Sequence, residues 1–200
     1  MVERDRVGIL FVVSAPSGAG KTSICRAVME RRRGISFSVS VTTRPPRRGE
    51  VNEVDYVFVS REEFEGMVER DELVEWAQVH GHLYGTPLLP LVQKTDAGED
   101  LFLDIDVQGA ERVLRYFPNS VGIFVMPPSL EVIERRLRGR GTEDPQELAR
   151  RIAAARGEIA RFPMFHYLLL NDDFEEAVRD MCSIVDAERQ KTAYLRETWW

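Results

Sequence analysis

The residues of this chain whose types and order can do chemistry begin at Ser14, in the stretch SAPSGAGKTS. From Ala15 to Thr22 it follows the phosphate-loop pattern G-x-x-x-x-G-K-[ST], with alanine where the pattern has its first glycine. In such a loop successive backbone N–H groups turn inward around oxygen atoms, and the following helix adds the positive end of its dipole. Gly18 and Gly20 let the backbone turn tightly, Lys21 is placed to reach the β- and γ-phosphates, and the Thr22 hydroxyl is placed to ligate Mg²⁺. The first glycine only eases the bend out of the strand, and alanine costs little there if φ is negative. Ser14, Ala15, Pro16, Ser17, Gly18, Ala19, Gly20, Lys21 and Thr22 are therefore expected to hold nucleotide phosphates. A glycine-rich turn without a ligand is the plainer alternative, and the elements on either side weigh against it.

Those elements are a strand and a helix. VGILFVVS, residues 7–14, is a continuous apolar run of the kind buried on both faces in a parallel sheet. KTSICRAVMERRR lacks Pro and Gly, carries Ile24 and Val28 at helical spacing and ends in basic residues. DLFLDID, SVGIFVMPP and YLLLND repeat the buried-strand signature, with helical patterns between them. Buried strands alternating with helices predict an α/β fold with a parallel sheet and right-handed crossovers. FSVSVTTR alternates, with Phe37, Val39 and Val41 on one face, and predicts one half-exposed strand. DYVFVS and LVEWAQV predict two more, HGHLYGTP a turn-rich loop, and Pro87 the first position of a helix. Ser60 and Glu63 form a capping box, Ser129 caps a helix, Asp144, Pro145 and Glu147 open another, and a last long helix runs from Phe174 toward Leu195. The polar segment 37–90 looks inserted into the α/β framework.

Composition narrows the partners. A net charge of −6, from 27 basic and 33 acidic residues, argues against nucleic acid and against anionic membranes, so a polyanion must meet local arginine clusters. No apolar run approaches the length of a membrane-crossing helix, and the start MVERDRVGIL has no signal-peptide character. Cys25 and Cys182 read as buried free thiols in a reducing cytoplasm, and His80, His82 and His166 lack metal-site spacing. Monomer and homo-oligomer both remain open, and the terminal Trp199 and Trp200 do not choose between them.

APSGAGKTS, SVSVTTRPPRRGEVNEVDYVFVS, EWAQVHGHLYGTP, LDIDVQGA, RLRGRGTE and LLLNDD together resemble the guanylate kinase family, in order and over nearly the whole chain. The resemblance implies a P-loop NTPase-type parallel sheet flanked by helices, formed by about 1–36, 91–135 and 162–200. It also implies an acceptor-binding subdomain inserted at about 37–90 and a mobile helical lid at about 136–161. It implies transfer of the γ-phosphoryl group of ATP to GMP, with Mg²⁺ accompanying ATP.

Roles follow on matching positions. A guanine edge presents N1–H and N2–H₂ donors beside the O6 acceptor, so one carboxylate can take two bonds and a hydroxyl can give one. Glu75 and Thr86 are the candidates, with Ser40 beside them; a solvated strand acid is the plainer reading of Glu75. Arg44, Arg47, Tyr56 and Tyr84 match acceptor-phosphate positions, Arg48 reading as surface charge. Residues 135–161 hold eight arginines against four acids, and Arg136, Arg140 and Arg151 match phosphate-clamping positions while Arg135, Arg138 and Arg150 read as solvent-facing. Asp104 belongs to the acceptor or metal-water network, with Asp106 as the other candidate for a water-bridged metal contact. Asn171 matches a position near the ATP base, or else caps the final helix. Two readings compete with a kinase of this kind: a guanylate-kinase-like binding module without catalysis, and a phosphokinase acting on ribose 1,5-bisphosphate.

Overall fold

The computed structural model describes residues 6–79, 81–138 and 145–196, the side chains of 136–138 and 145–149 excepted. In chain order, β1 (Leu10–Ser14) feeds α1 (Lys21–Arg31) and β2 (Ile35–Phe37). β3 (Ser40–Thr42), β4 (Tyr56–Phe58), α2 (Arg61–Glu69), β5 (Leu73–Val79) and β6 (His82–Pro87) follow. The chain then runs through α3 (Leu88–Asp96), β7 (Asp100–Asp104), α4 (Val107–Tyr116), β8 (Val121–Met126) and α5 (Leu130–Arg138). It ends with α6 (Pro145–Ile159), β9 (Tyr167–Leu170) and α7 (Phe174–Glu188).

The apolar runs assemble a five-stranded sheet in the order β2-β7-β1-β8-β9, parallel throughout. Successive side chains of β1 point to opposite faces, so a strand apolar at every position needs cover on both. Ile9, Phe11 and Val13 pack with Ile24 and Val28 of α1 and with Val178, Met181 and Val185 of α7. Leu10 and Val12 face the other way, into Leu91 of α3 and Ala110 and Val113 of α4. Parallel strands so arranged bring the ends of β1 and β7 to one edge of the sheet, where Val13 pairs with Asp104. A fully buried carboxylate at the opposite end of β7 ties the termini together. Asp100 accepts from Arg6 at 2.6 and 3.0 Å, from Arg189 Nε at 2.7 Å and from the Ile9 N–H at 2.8 Å.

A second sheet of four strands, ordered β4-β3-β6-β5, closes over α2 through Val41, Phe64 and Leu83. α2 begins as its sequence predicts. Ser60 Oγ accepts the Glu63 N–H at 3.1 Å while Glu63 Oε2 accepts the Ser60 N–H at 2.7 Å.

Several local expectations are corrected. The alternating stretch from Phe37 to Thr42 is not one strand: β2 pairs with β7 in the large sheet, whereas β3 pairs with β4 and β6 in the small one. Ser38 and Val39 make the passage, Ser38 N–H donating to the Phe102 carbonyl at 2.9 Å. Thr42, expected on a polar face, is fully buried, its hydroxyl donating to the Leu83 carbonyl at 2.9 Å. HGHLYGTP is not a loop beyond its turn. Gly81, at φ 84°, reverses the chain, and residues from His82 on pair with β5 as β6. Pro87 lies one residue earlier than expected, as the N-cap of α3. The final helix stops at Glu188 because the chain turns to bury Tyr194, whose hydroxyl donates to the Asn119 carbonyl at 3.0 Å. Ser129 Oγ accepts the Val132 N–H at 3.3 Å at the start of α5; the Asp144 cap lies outside the described residues.

Candidate active site

The loop from Ser14 to Thr22 joins the buried end of β1 to the start of α1. Gly18 and Gly20 stand at φ 85° and 90°, where a side chain is strained. Among the described residues Glu53 and Asp71 alone adopt positive φ without being glycine, so Ala15 sits where alanine is at ease. Its methyl joins the core cluster that holds α1 and α7. The N-terminus of α1 has no side-chain cap and no acidic residue in its first turn, which leaves its N–H groups and its positive dipole end for an anion. Ser14 Oγ is buried with no hydrogen-bond partner among the described residues. Asn171, 4% exposed, donates through Nδ2 to the Ala19 carbonyl at 2.6 Å and so holds the loop's shape. It does not cap α7; Asp173 does, accepting the Glu176 N–H at 2.8 Å.

One carboxylate meets the chemistry-bearing end of the loop. Asp104 Oδ1 is 2.6 Å from Lys21 Nζ, and Oδ2 accepts the Thr22 hydroxyl at 2.5 Å. Lys21 also donates to the Ile105 carbonyl at 2.8 Å. Asp106 is the N-cap of α4, its Oδ1 accepting the Gly109 N–H at 2.8 Å.

Across the cleft, Glu75 of β5 and Thr86 of β6 are direct cross-strand partners. Thr86 Oγ1 donates to Glu75 Oε1 at 2.7 Å, and Glu75 is 6% exposed, which rules out a solvated strand acid. Burial pushes the Glu75 carboxyl up to about 7; the Thr86 hydrogen bond and Arg112 oppose that shift, and Asp106 adds to it. Lys21, Asp104, Glu75, Tyr84, Tyr56 and Ser40 line one cavity of about 280 Å³. Arg44 is buried, stacked over Tyr56 with its guanidinium carbon 5.4 Å from the ring centre. It donates to Tyr84 Oη at 3.2 Å, to the Pro45 carbonyl at 2.8 Å and to Glu50 Oε1 at 2.8 Å. Glu50 also accepts the Arg47 N–H at 2.7 Å, and its carboxyl is held below the usual range by Arg44. Burial keeps the Tyr56 hydroxyl protonated, hence a donor. Arg47 and Arg48 are exposed.

Of the arginines at 135–161, Arg151 lies half-buried on α6, while Arg135 and Arg150 are exposed. Arg140 and the side chains of Arg136 and Arg138 lie outside the described residues. α6 also carries Glu158 to the cavity wall, where burial raises the affinity of its carboxylate for a proton.

The family model described as guanylate kinase matches residues 8–188. The chain belongs to the guanylate kinase family. It is 46% identical over 188 residues to the guanylate kinase of Geobacter sulfurreducens, covering 94% of this chain and 93% of that one. It is 48% identical over 191 residues to that of Syntrophotalea carbinolica, covering 96% and 91%. The crystal structure of guanylate kinase from Anaplasma phagocytophilum matches it with a TM-score of 0.79 at 34% identity, over 96% of this chain and 92% of that one. The α/β fold with its parallel P-loop sheet is therefore that of the family.

Within this guanylate kinase fold, Thr22 and Asp104 suit an ion such as Mg²⁺ that keeps several waters and takes further oxygens from phosphates. Among the described residues no group of three or more His, Cys, Asp or Glu stands ready to cage a metal by itself. No described helix is long and apolar enough to cross a membrane. Four site residues escaped the sequence reading: Glu50, Gly109, Arg112 and Glu158. Glu50 closes PPRRGE and Gly109 interrupts a helical pattern, so both had a local signal; the reach of Glu158 and the Arg112 bond to the Trp76 carbonyl had none.

The loop geometry predicts an asymmetry between its alanine and its last glycine. Ala15→Gly should cost about 0.5–1 kcal/mol in urea unfolding, through the looser unfolded chain. Gly20→Ala should cost about 2 kcal/mol or more, since φ is 90° and a Cβ would stand 2.6 Å from Asn171 Nδ2. Equal losses would contradict the backbone assignment.

Proposed function

We propose that this protein transfers the γ-phosphoryl group of ATP to GMP, and to dGMP through the same base and phosphate contacts, giving ADP and GDP in purine nucleotide metabolism and GMP recycling. One observation carries the reading. Lys21 and the buried Glu75 open on the same cavity, so phosphate chemistry and purine reading converge on one space.

In the proposed complex the triphosphate lies along the N–H groups of Ser14–Thr22, and Lys21 exchanges Asp104 for the β- and γ-oxygens. Thr22 would hold Mg²⁺ there, with Asp104 acting through a water, and the ion would supply charge neutralisation. Asp106, engaged by the cap of α4, is the weaker candidate for that place. Asn171 supports the loop on the side assigned to the ATP base. The guanine N1–H and N2–H donate to the Glu75 carboxylate. Once those donors satisfy it, the Thr86 hydroxyl is free to donate to O6, with Ser40 beside it. Adenine, with a lone pair at N1, would face the same carboxylate unfavourably. Arg44, Arg47, Tyr56 and Tyr84 take the GMP phosphate; three of the five Arg44 N–H donors are engaged, which fixes the direction of the other two.

A GMP phosphate oxygen attacks the γ-phosphorus, the bond from that phosphorus to the β–γ bridging oxygen breaks, and ADP leaves with the electron pair. A nucleotide monophosphate has a second pKa of about 6, so the attacking oxygen is already ionised at neutral pH and no general base is required. Alignment and charge stabilisation do the catalysis, with Arg136, Arg140 and Arg151 as the proposed clamps on the transferred group. Closure of 136–161 over both substrates would exclude water and limit ATP hydrolysis. The buried thiols of Cys25 and Cys182 support a reducing cytoplasm as the compartment.

A coupled assay of ADP release tests this directly, with GMP, AMP and ribose 1,5-bisphosphate as acceptors. Turnover should be greatest with GMP. No ADP would favour a binding module, and faster turnover of the sugar bisphosphate the third reading. Lys21→Ala should lower kcat by about 10²–10³-fold while calorimetric GMP affinity stays within about twofold; retained turnover would remove Lys21 from the chemistry.

Glu75 predicts a pH dependence. Its carboxyl titrates at about 7 in the free protein, and GMP needs the ionised form, so below neutrality binding must expel a proton. Calorimetric GMP affinity should weaken by about tenfold from pH 8 to pH 6 beyond the change seen in Glu75→Gln, which retains only the titration of the GMP phosphate. Parallel curves for the two proteins would contradict the role given to Glu75.

A further inference from the structure

The carboxylate of Glu75 is held on one side by Thr86 and approached on the other by backbone. Gly109 lies in the first turn of α4, is buried, and has no positive φ, so its conformation is open to any L-residue. Its N–H is engaged by the Asp106 cap, as an alanine's would be. Glycine is the poorest helix former after proline, and nothing in the backbone calls for it here. The space does. A Cβ at 109 would stand 2.5 Å from Glu75 Oε2, 3.1 Å from Cδ and 3.5 Å from Cγ.

We infer that Gly109 is a specificity-determining position: by leaving no side chain, it lets α4 act as a backstop that sets the plane of the purine-reading carboxylate. The inference deepens the reading of Glu75 as the guanine acceptor and rests on it. The two oxygens are not equivalent. In the structure Oε1 takes the Thr86 hydroxyl at 2.7 Å, a bond the guanine donors would replace, whereas Oε2 is the one that meets Gly109 with or without the base. Glu75 is enclosed except toward the cavity it lines, so the only room a displaced carboxylate has is the space the base would occupy. A methyl at 109 therefore drives Oε2 about 1 Å from its place, toward ordinary contact distance, and misplacement on that scale is enough to lose a directed hydrogen bond. The carboxylate then meets one purine donor instead of two. GMP, which offers N1–H and N2–H₂, loses more than IMP, which offers N1–H alone.

The test is a double-mutant cycle read on substrates. Gly109→Ala should raise the GMP KM by about tenfold or more and narrow the GMP-to-IMP ratio of kcat/KM by a similar factor, with the ATP KM within about twofold. In the Glu75→Asp background, where the shorter acid leaves room for the methyl, adding Gly109→Ala should change the GMP KM by less than about twofold. A general structural role would instead lower turnover of both bases alike and add to Glu75→Asp. An unchanged GMP-to-IMP ratio in G109A, or additivity in the cycle, overturns the assignment. If G109A alone does not fold, E75D/G109A against E75D decides: equal GMP KM supports the inference and a further tenfold rise overturns it. Wild-type turnover of GMP, measured first, keeps the two readings apart. An active wild type with an indifferent position 109 removes only the inference about Gly109.

Discussion

Lys21, Thr22 and Asp104 form the contact on which the rest of the molecule turns. The lysine side chain is 16% exposed, and a cation so enclosed is costly without a counter-charge. Asp104 supplies it at 2.6 Å and takes the Thr22 hydroxyl with its other oxygen. The sheet makes this meeting possible, because β1 and β7 run parallel with Val13 beside Asp104, so the loop and the acid emerge at the same edge. A triphosphate entering the loop would take over the role of counter-charge. Ion exchange of that kind would let the lysine stay pre-aimed without a buried unpaired charge.

The second sheet faces that edge with an opposite strategy. Its central group is an acid kept out of water, with one oxygen held by Thr86 and the other against the glycine backbone of α4. Burial raises the proton affinity of Glu75, so the free protein holds a poised acceptor that a base with paired N–H donors would complete. Arg44 is treated in the reverse way. It is enclosed but satisfied by Glu50, Tyr84 and a carbonyl, and its direction is set by the Tyr56 ring. Both groups have partners that set their direction, which would lower the cost of ordering them on binding.

Much of this was legible in the sequence where the cause is local. The glycine positions of the loop, the capping box at Ser60 and Glu63, and the fully apolar strands each carry their reason within a few residues. What escaped depends on partners distant in sequence. The stretch from Phe37 to Thr42 alternates without a break, yet it changes sheet at Ser38 and Val39 because β7 claims one half and β6 the other. HLYGTP carries two turn-forming residues and becomes a strand because β5 supplies a partner along its length. α7 stops at Glu188 for the sake of Tyr194, which must reach Asn119. Asn171 does not cap the final helix and buttresses the loop, a role visible only once Ala19 is beside it. Family resemblance named Glu75 and Thr86; that they are cross-strand partners pressed against Gly109 is a fact of packing.

The central claim is that one cleft holds a triphosphate on main-chain amides at one end and reads a purine by a buried carboxylate at the other. The most direct measurement is a crystal structure with GMP and a non-hydrolysable ATP analogue bound together. The account predicts guanine N1 and N2 within about 3 Å of the Glu75 carboxylate, and the β- and γ-phosphates against Lys21 and the N–H groups of Ala15–Thr22. A guanine ring lying away from Glu75, or a triphosphate outside the loop, would contradict it.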